Sequence, residues 1–85
     1  MISCRYVIST NHGLHAANAM SLSRAASYYQ CKITLESAKG VADCKNVLSL
    51  MSLGAKQGES LILTADGPDE KLAMGYLSGI LRTIL

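Results

Sequence analysis

The chain has 85 residues, a formal net charge of +2 at pH 7 and 49% hydrophobic residues. This length fits one domain with its own core, and so small a charge, with no basic stripe interleaved with aromatic residues, excludes typical nucleic-acid binding. No segment reaches the roughly 20 apolar residues of a membrane span, and the first ten residues lack the apolar run of a signal peptide. We therefore expect a single domain over residues 1–85 in the cytoplasm, not inserted into a membrane.

The first half of the chain predicts a strand, a helix and a hairpin. Residues 2–8 carry an apolar side chain at every second position, which is the period of a half-buried strand, and the loop 9–13 ends it. An alanine-rich amphipathic helix is predicted from Ala16 to Tyr29. Residues 31–37 return to period two, and a tight turn leads into a short strand at 41–45.

The second half predicts a short helix, a strand and a closing helix. Asn46 suits the N-cap of the short helix, and Gly54 supplies its left-handed C-terminal position. Residues 60–65 form the fourth predicted strand, and the closing helix covers 66–85 with Pro68 near its first turn. The order β-α-β-β-α-β-α predicts an α+β two-layer sandwich, with helices covering one face of a mostly antiparallel sheet.

Apolar periodicity also assigns faces to the closing helix. Gly75 and Gly79 have the spacing of helix contacts in membranes, but the apolar window around them is too short to span a bilayer, so we expect close packing on a neighbouring helix. The residues predicted to face inward are Leu72, Ala73, Tyr76, Leu77, Ile80 and Ile84.

The three cysteines do not form a recognisable framework. Cys4, Cys31 and Cys44 are odd in number, and their spacing matches neither a disulfide scaffold nor a CxxC metal site. Each lies in an apolar or alternating run, which favours buried free thiols in a reducing compartment over a reactive or metal-binding cysteine.

The segment NHGLHAANAM, residues 11–20, sets a histidine directly before a helix. The backbone N–H groups of Ala16 and Ala17 lie in the first turn, where they lack intrahelical acceptors and the helix dipole is positive. Such a site favours an anion, and imidazole is a nucleophile toward phosphorus. The pattern therefore predicts that His15 accepts a phosphoryl group, against the alternative of a surface or capping histidine.

Other chemistries fit this segment less well. No nucleophile, base and orienting acid are linked by motif, which disfavours a hydrolase. The pair His12 and His15 encloses Gly13, with no cysteine or carboxylate at a ligand spacing, which disfavours a metal site. We expect a carrier without cofactor or metal rather than a free-standing enzyme.

Three stretches carry a resemblance to a known family. GLHA at 13–16, KNVLSLMSLG at 45–54 and QGESLILTADGPDEKLA at 57–73, together with the element order, resemble HPr, the histidine-containing phosphocarrier of the sugar phosphotransferase system. The resemblance covers the whole chain without insertions. It implies an open-faced sandwich with sheet order 1-4-2-3 and three helices on one face. It also implies that enzyme I, phosphorylated from phosphoenolpyruvate, passes the group to Nδ1 of His15, which hands it to an enzyme IIA domain.

The resemblance further implies a partner surface, an apolar patch around His15 on a protein that we expect to be a monomer. The alternative for Val47 and Leu48 is that one of them packs inward. The patch maps to Ala16, Met20, Val47, Leu48 and Met51.

The family motif GLHARPA reads GLHAANA here, so Ala17 and Asn18 replace an arginine and a proline. A charge-assisted hydrogen bond to phosphate contributes about 1.5 to 3 kcal/mol, and its loss should slow transfer or weaken docking by tens of fold. Three residues are candidates to compensate: the Asn18 amide, Arg24 two helical turns beyond Ala17, and His12 when protonated. Their alternatives are a neutral first-turn residue, a solvated helix charge and a loop residue.

A second departure concerns regulation. Asn46 stands where one branch of the family has a serine that a kinase phosphorylates. Asparagine keeps the capping function of that serine but cannot take a phosphate, so no regulatory phosphosite is expected.

Two functions remain from the sequence. Retention of His15 favours a working phosphocarrier, whereas Ala17 favours a degenerate paralogue that acts as a regulatory protein-binding module with weak or no phosphotransfer.

Overall fold

The computed structural model describes residues 1–85, and four antiparallel strands form one sheet in the order β1-β4-β2-β3. Three helices cover one face, which confirms the predicted open-faced α+β sandwich. The elements in chain order are β1 Ile2–Val7, α1 Ala16–Ala26, β2 Lys32–Ser37, β3 Gly40–Asp43, α2 Val47–Ser52, β4 Ser60–Asp66 and α3 Glu70–Ile84.

Alternation along the strands builds the core. The register places Cys4 of β1, Leu63 of β4 and Leu35 of β2 side by side on the covered face. The next residues along the same strands, Arg5 and Ile62 among them, are exposed on the opposite face. One face of each strand therefore meets the helices and the other meets solvent.

Two helix boundaries differ from the prediction. α1 ends at Ala26 rather than at Tyr29, because the Tyr28 and Tyr29 amides bond three residues back in a tighter turn. α3 begins at Glu70, two residues after Pro68. The residue between them, Asp69, is the N-cap, but its carboxylate accepts from the Gln30 and Cys31 amides instead of from its own helix.

The inward face of α3 is only partly as predicted. Ala73 and Leu77 are buried, but Leu72 and Tyr76 are 73% and 54% exposed, so their assignment to the core is wrong. Two stripes at a spacing of four residues run along this helix, and the sheet covers the one that continues to Leu81. Met74 is buried beside that stripe, and Ile80 and Ile84 are half-buried at its other edge as predicted.

The expected packing role of the two helix glycines is also wrong. A Cβ placed on Gly75 or on Gly79 would meet no atom within 4 Å other than the adjacent backbone of α3 itself. Open space lies next to both residues, so no neighbouring helix approaches there. No helix of the structure combines the length and apolar character needed to cross a bilayer.

All three cysteines are free thiols, as predicted. Cys31 and Cys44 are buried, and Cys4 is half-buried at the covered face of β1. Burial, and secondly the negative charge of Asp43, raises the pKa of the Cys44 thiol to about 12. This thiol is therefore protonated, and unreactive as a nucleophile, at physiological pH.

Candidate functional site

The loop between β1 and α1 is held against the segment that precedes β4. Gly13 has φ +63°, and the next amide, that of Leu14, donates to the Ala55 carbonyl at 2.9 Å. A Cβ on Gly13 would collide with that same carbonyl oxygen. Only glycine satisfies both the positive φ and the close approach, so this residue sets where the following histidine stands.

A second attachment holds the start of the loop. The amides of Ser9 and Thr10 donate to the Leu85 carbonyl at 2.8 and 3.0 Å, and the Ser9 hydroxyl donates to the same oxygen at 2.9 Å. The loop is thus fixed at both of its ends by parts of the chain that are distant in sequence.

His15 is the N-cap of α1, with extended backbone at φ −139° and ψ 179°. Its Nδ1 accepts from the Ala17 amide at 3.3 Å, while the side chain is exposed. Accepting this bond assigns the lone pair to Nδ1 and, in the neutral ring, the proton to Nε2. The unprotonated ring nitrogen is therefore held at the positive end of the helix.

Asn18 closes a capping box with this histidine. Its Oδ1 accepts from the His15 amide at 2.8 Å, and its Nδ2 donates to the Gly13 carbonyl at 2.8 Å. The residue is only 7% exposed. Its side chain therefore stabilises the loop, with one Nδ2–H bound to the Gly13 carbonyl, and a contact of Asn18 with a phosphoryl group stays a prediction. The three-residue spacing of a capping box was the available signal, carried by His and Asn instead of Ser or Thr and Glu or Gln.

The first-turn alanines present backbone but no functional side chain. Ala16 and Ala17 are both exposed, and the first intrahelical bond runs from the Ala19 amide to the His15 carbonyl at 2.8 Å. The amides before Ala19 thus lack intrahelical carbonyl acceptors, and those of Ala17 and Asn18 face the His15 side chain, which leaves the Ala16 amide without a partner.

Of the remaining two candidates for compensation, only one lies near His15. Arg24 is exposed, makes no hydrogen bond or ion pair, and lies nine residues along the helix, about 13 Å by the α-helical rise. The ring centre of His12 lies 6.2 Å from that of His15, with the planes at 89°. The structure therefore brings the two imidazoles together and leaves the guanidinium apart.

Exposed apolar side chains lie on the two helices next to His15. Met20 on α1 is 49% exposed, and Leu48 and Met51 on α2 are 78% and 41% exposed. Val47 is half-buried against the core, so of the two residues in question it is the one that packs inward. We call the exposed set Ala16, Met20, Leu48 and Met51 the apolar patch.

The N-terminus of α2 carries no exposed serine at its cap. Asn46 accepts from the Ser49 amide at 3.1 Å, which confirms its predicted capping role. The Ser49 hydroxyl in turn accepts from the Asp43 amide at 2.9 Å, and the Ser52 hydroxyl donates to the Ser49 carbonyl at 2.6 Å. Both hydroxyls therefore have structural partners.

A family model described as "PTS HPr component phosphorylation site" matches residues 2–83. The chain belongs to the HPr family. The phosphocarrier protein HPr of Mycoplasma pneumoniae is 30% identical over 83 residues, covering 96% of this chain and 94% of the relative. That of Mycoplasma genitalium is 33% identical over 77 residues, covering 89% and 88%.

Solved structures agree in fold. The crystal structure of HPr-C-His from Thermoanaerobacter tengcongensis is 30% identical, with a TM-score of 0.90 over 98% of this chain and 93% of that one. A mycoplasma histidine-containing phosphocarrier reaches a TM-score of 0.93 at 24% identity over 96% of this chain and 93% of that one, which supports the fold alone. This HPr chain thus keeps the family fold. Ala17 stands at the position of the arginine in the motif GLHARPA.

Proposed function

We propose that this HPr chain accepts a phosphoryl group from phosphorylated enzyme I on Nδ1 of His15 and passes it to an enzyme IIA domain. The observation that carries the proposal is the exposed ring of His15, whose Nδ1 faces the Ala17 amide at the N-terminus of α1. The same amide that now bonds to Nδ1 is positioned to bond to an oxygen of the phosphoryl group.

The transfer needs no acid or base beyond the two rings. The Nδ1 lone pair of His15 attacks phosphorus, and the N–P bond to the donor histidine breaks, returning its electron pair to the donor nitrogen. The acceptor ring retains its Nε2 proton as the new N–P bond forms. First-turn N–H groups and the helix dipole offset the negative charge of the bound group. The reverse sequence passes the group to the next acceptor.

The apolar patch supplies the docking surface in this proposal. Large apolar side chains exposed on the surface of a small protein mark interaction sites. Met20 lies on α1, which begins at His15, and Leu48 and Met51 lie on α2, which packs against α1. Because one patch would serve both partners, the carrier binds enzyme I and enzyme IIA in turn, acting as a monomer in the cytoplasm.

The test is incubation with enzyme I and phosphoenolpyruvate, followed by intact-mass measurement. We expect a gain of one phosphoryl group that mild acid removes and that the His15→Ala variant does not acquire. An HPr with the full motif serves as the positive control. If that control is phosphorylated and this chain gains no mass even on prolonged incubation, the proposed transfer is wrong.

A second function is favoured by Ala17 and the apolar patch together, namely a regulatory binding module without efficient transfer. It predicts no mass gain in the assay above but measurable calorimetric binding of the unmodified chain to enzyme I or an enzyme IIA domain. Binding should weaken at least tenfold in Leu48→Asp, because a charge would replace a 78% exposed apolar side chain at the interface.

A further inference from the structure

His12 is a titratable side chain next to the acceptor with no other evident role. Its ring centre lies 6.2 Å from that of His15 in an edge-to-face arrangement, within the 4.5 to 7 Å range of interacting rings. The His12 side chain is exposed and makes no hydrogen bond or ion pair in the structure. Its ring nitrogens are therefore free to interact with a group bound to His15.

We propose that His12 contacts the phosphoryl group on His15 and supplies, as an imidazolium, the positive charge that Ala17 cannot. The inference rests on the proposed function and concerns the same site. Gly13, which directly follows His12, is clamped against Ala55, so the backbone that bears this ring is held in place beside the acceptor. Donation from an imidazolium N–H to a phosphoryl oxygen is a charge-assisted hydrogen bond.

The charge change on His15 makes the contact selective for the phosphorylated state. The unmodified His15 ring carries no negative charge, whereas a phosphoryl dianion on it would attract a cation at His12. By linkage, protonation of His12 must favour phosphorylation of His15 by the same factor.

Two other charged side chains belong to the elements next to His12. The Lys56 Cα lies against Gly13, so the Lys56 ammonium is the nearby charge that a control variant must remove. Arg24 lies nine residues beyond His15 along α1. A response between pH 5.5 and 8.5 that depends on residue 12 therefore reports on His12.

The first measurement is the NMR titration of the His12 ring in the free and the phosphorylated carrier. Phosphoramidate serves as a chemical donor, and the form modified once, on His15, is isolated, so the test does not depend on enzyme I. We expect phosphorylation to move the His12 titration midpoint upward by about one pH unit. Lys56→Gln removes a nearby charge as a matched control, and the His12 midpoint should still move upward in this variant when His15 is phosphorylated. An unchanged or lowered midpoint overturns the proposal.

The second measurement separates contact from a structural role. At equilibrium with phosphorylated enzyme I, His12→Asn should reduce the phosphorylated fraction relative to wild type by about tenfold in equilibrium constant at pH 5.5, and not at pH 8.5. His12→Arg, whose guanidinium is charged at both pH values, should show at pH 5.5 and at pH 8.5 the advantage over His12→Asn that wild type shows only at pH 5.5. A loss of equal size at both pH values indicates that His12 only shapes the loop, and no loss at either indicates that it is a solvated loop residue. Both results overturn the proposal.

The outcomes also distinguish the two proposals. If phosphoramidate modifies His15 and the His12 midpoint rises while enzyme I transfers nothing, the proposed function fails and the His12 contact stands. If enzyme I transfers the group and the midpoint does not move, the reverse holds. If neither donor modifies His15, both proposals fail.

Discussion

At the scale of single residues, the site depends on how one short motif distributes its hydrogen bonds. His15 is both the cap of α1 and the proposed nucleophile, and both roles use Nδ1, which accepts from the Ala17 amide, while the His15 amide donates to Asn18 Oδ1. The Asn18 side chain holds the loop through the Gly13 carbonyl. The candidate site thus keeps its framework and His15, and has alanine at residue 17.

Ala17→Arg is the direct test of that absence. The Ala17 side chain is exposed and belongs to the first turn, so an arginine can be accommodated without disturbing the core. A charge-assisted hydrogen bond of about 1.5 to 3 kcal/mol predicts a gain of roughly ten- to a hundredfold in the initial rate of phosphorylation by enzyme I.

The control is Ala17→Gln, which adds length and a neutral donor at the same position. We expect it to recover only a small part of the gain. Equal rates for wild type and Ala17→Arg would mean that charge at residue 17 is not what limits transfer in this chain.

At the scale of elements, α3 has more apolar residues than the core can cover. Leu72 and Tyr76 begin one stripe and Ala73 and Leu77 the other, and in this first half of the helix only the second stripe is buried. Periodicity identifies the helix but not its rotation when both stripes are apolar. Gly75 lies beside the exposed stripe, and open space adjoins it.

Replacing that glycine tests the assignment. Gly75→Ala should raise the free energy of unfolding by about 1 kcal/mol, because alanine loses less backbone entropy in a helix interior and its methyl group meets no atom within 4 Å other than the adjacent backbone of α3. Urea denaturation measures the change.

Gly67→Ala is the matched control at a glycine that the fold does require. Gly67 has φ +154°, and an added Cβ would approach the Cys31 Cα to 2.7 Å, so this variant should be destabilised. Destabilisation by Gly75→Ala would show that the face of α3 is closely packed after all.

At the scale of the whole molecule, one core joins the helices to the sheet and contains ionisable thiols. Cys44 is fully buried, and burial raises its pKa to about 12. Below the ordinary cysteine pKa of about 8.5, the thiol is protonated in both the folded and the unfolded chain, so the difference between its two pKa values has no effect on stability. Above it, the unfolded chain releases a proton that the folded chain keeps, so stability falls as pH rises.

The free energy of unfolding should fall by about 1.4 kcal/mol between pH 7.5 and 9.5, because pH 9.5 lies one unit above the ordinary cysteine pKa that applies to the unfolded chain. Urea unfolding at the two pH values measures it, below the range in which tyrosine and lysine titrate extensively. In Cys44→Ala the pH-dependent part should shrink, although that variant starts from lower stability because its core is emptier. An identical urea midpoint at both pH values would show that Cys44 ionises as readily in the folded chain as in the unfolded one.

The sequence alone sufficed for the elements, the fold class and the position of His15 at the start of α1, because these follow from local causes. Period-two strands, the cap at Asn46 and the Gly-Leu-His junction are encoded within a few neighbouring residues. The match across the chain then supplied the sheet order 1-4-2-3, which the structure confirms.

Tertiary structure decided what depends on residues far apart in the chain. The rotation of α3 was set by which stripe the sheet covers, and the bonds of the Asp69 carboxylate by the approach of the loop before β2. The placement of His12 beside His15 required Gly13 to be seated on Ala55, 42 positions away (55 − 13) in the chain. Local pattern determines which structures a segment can form, whereas packing against distant segments selects which of its faces and side chains are left free to act.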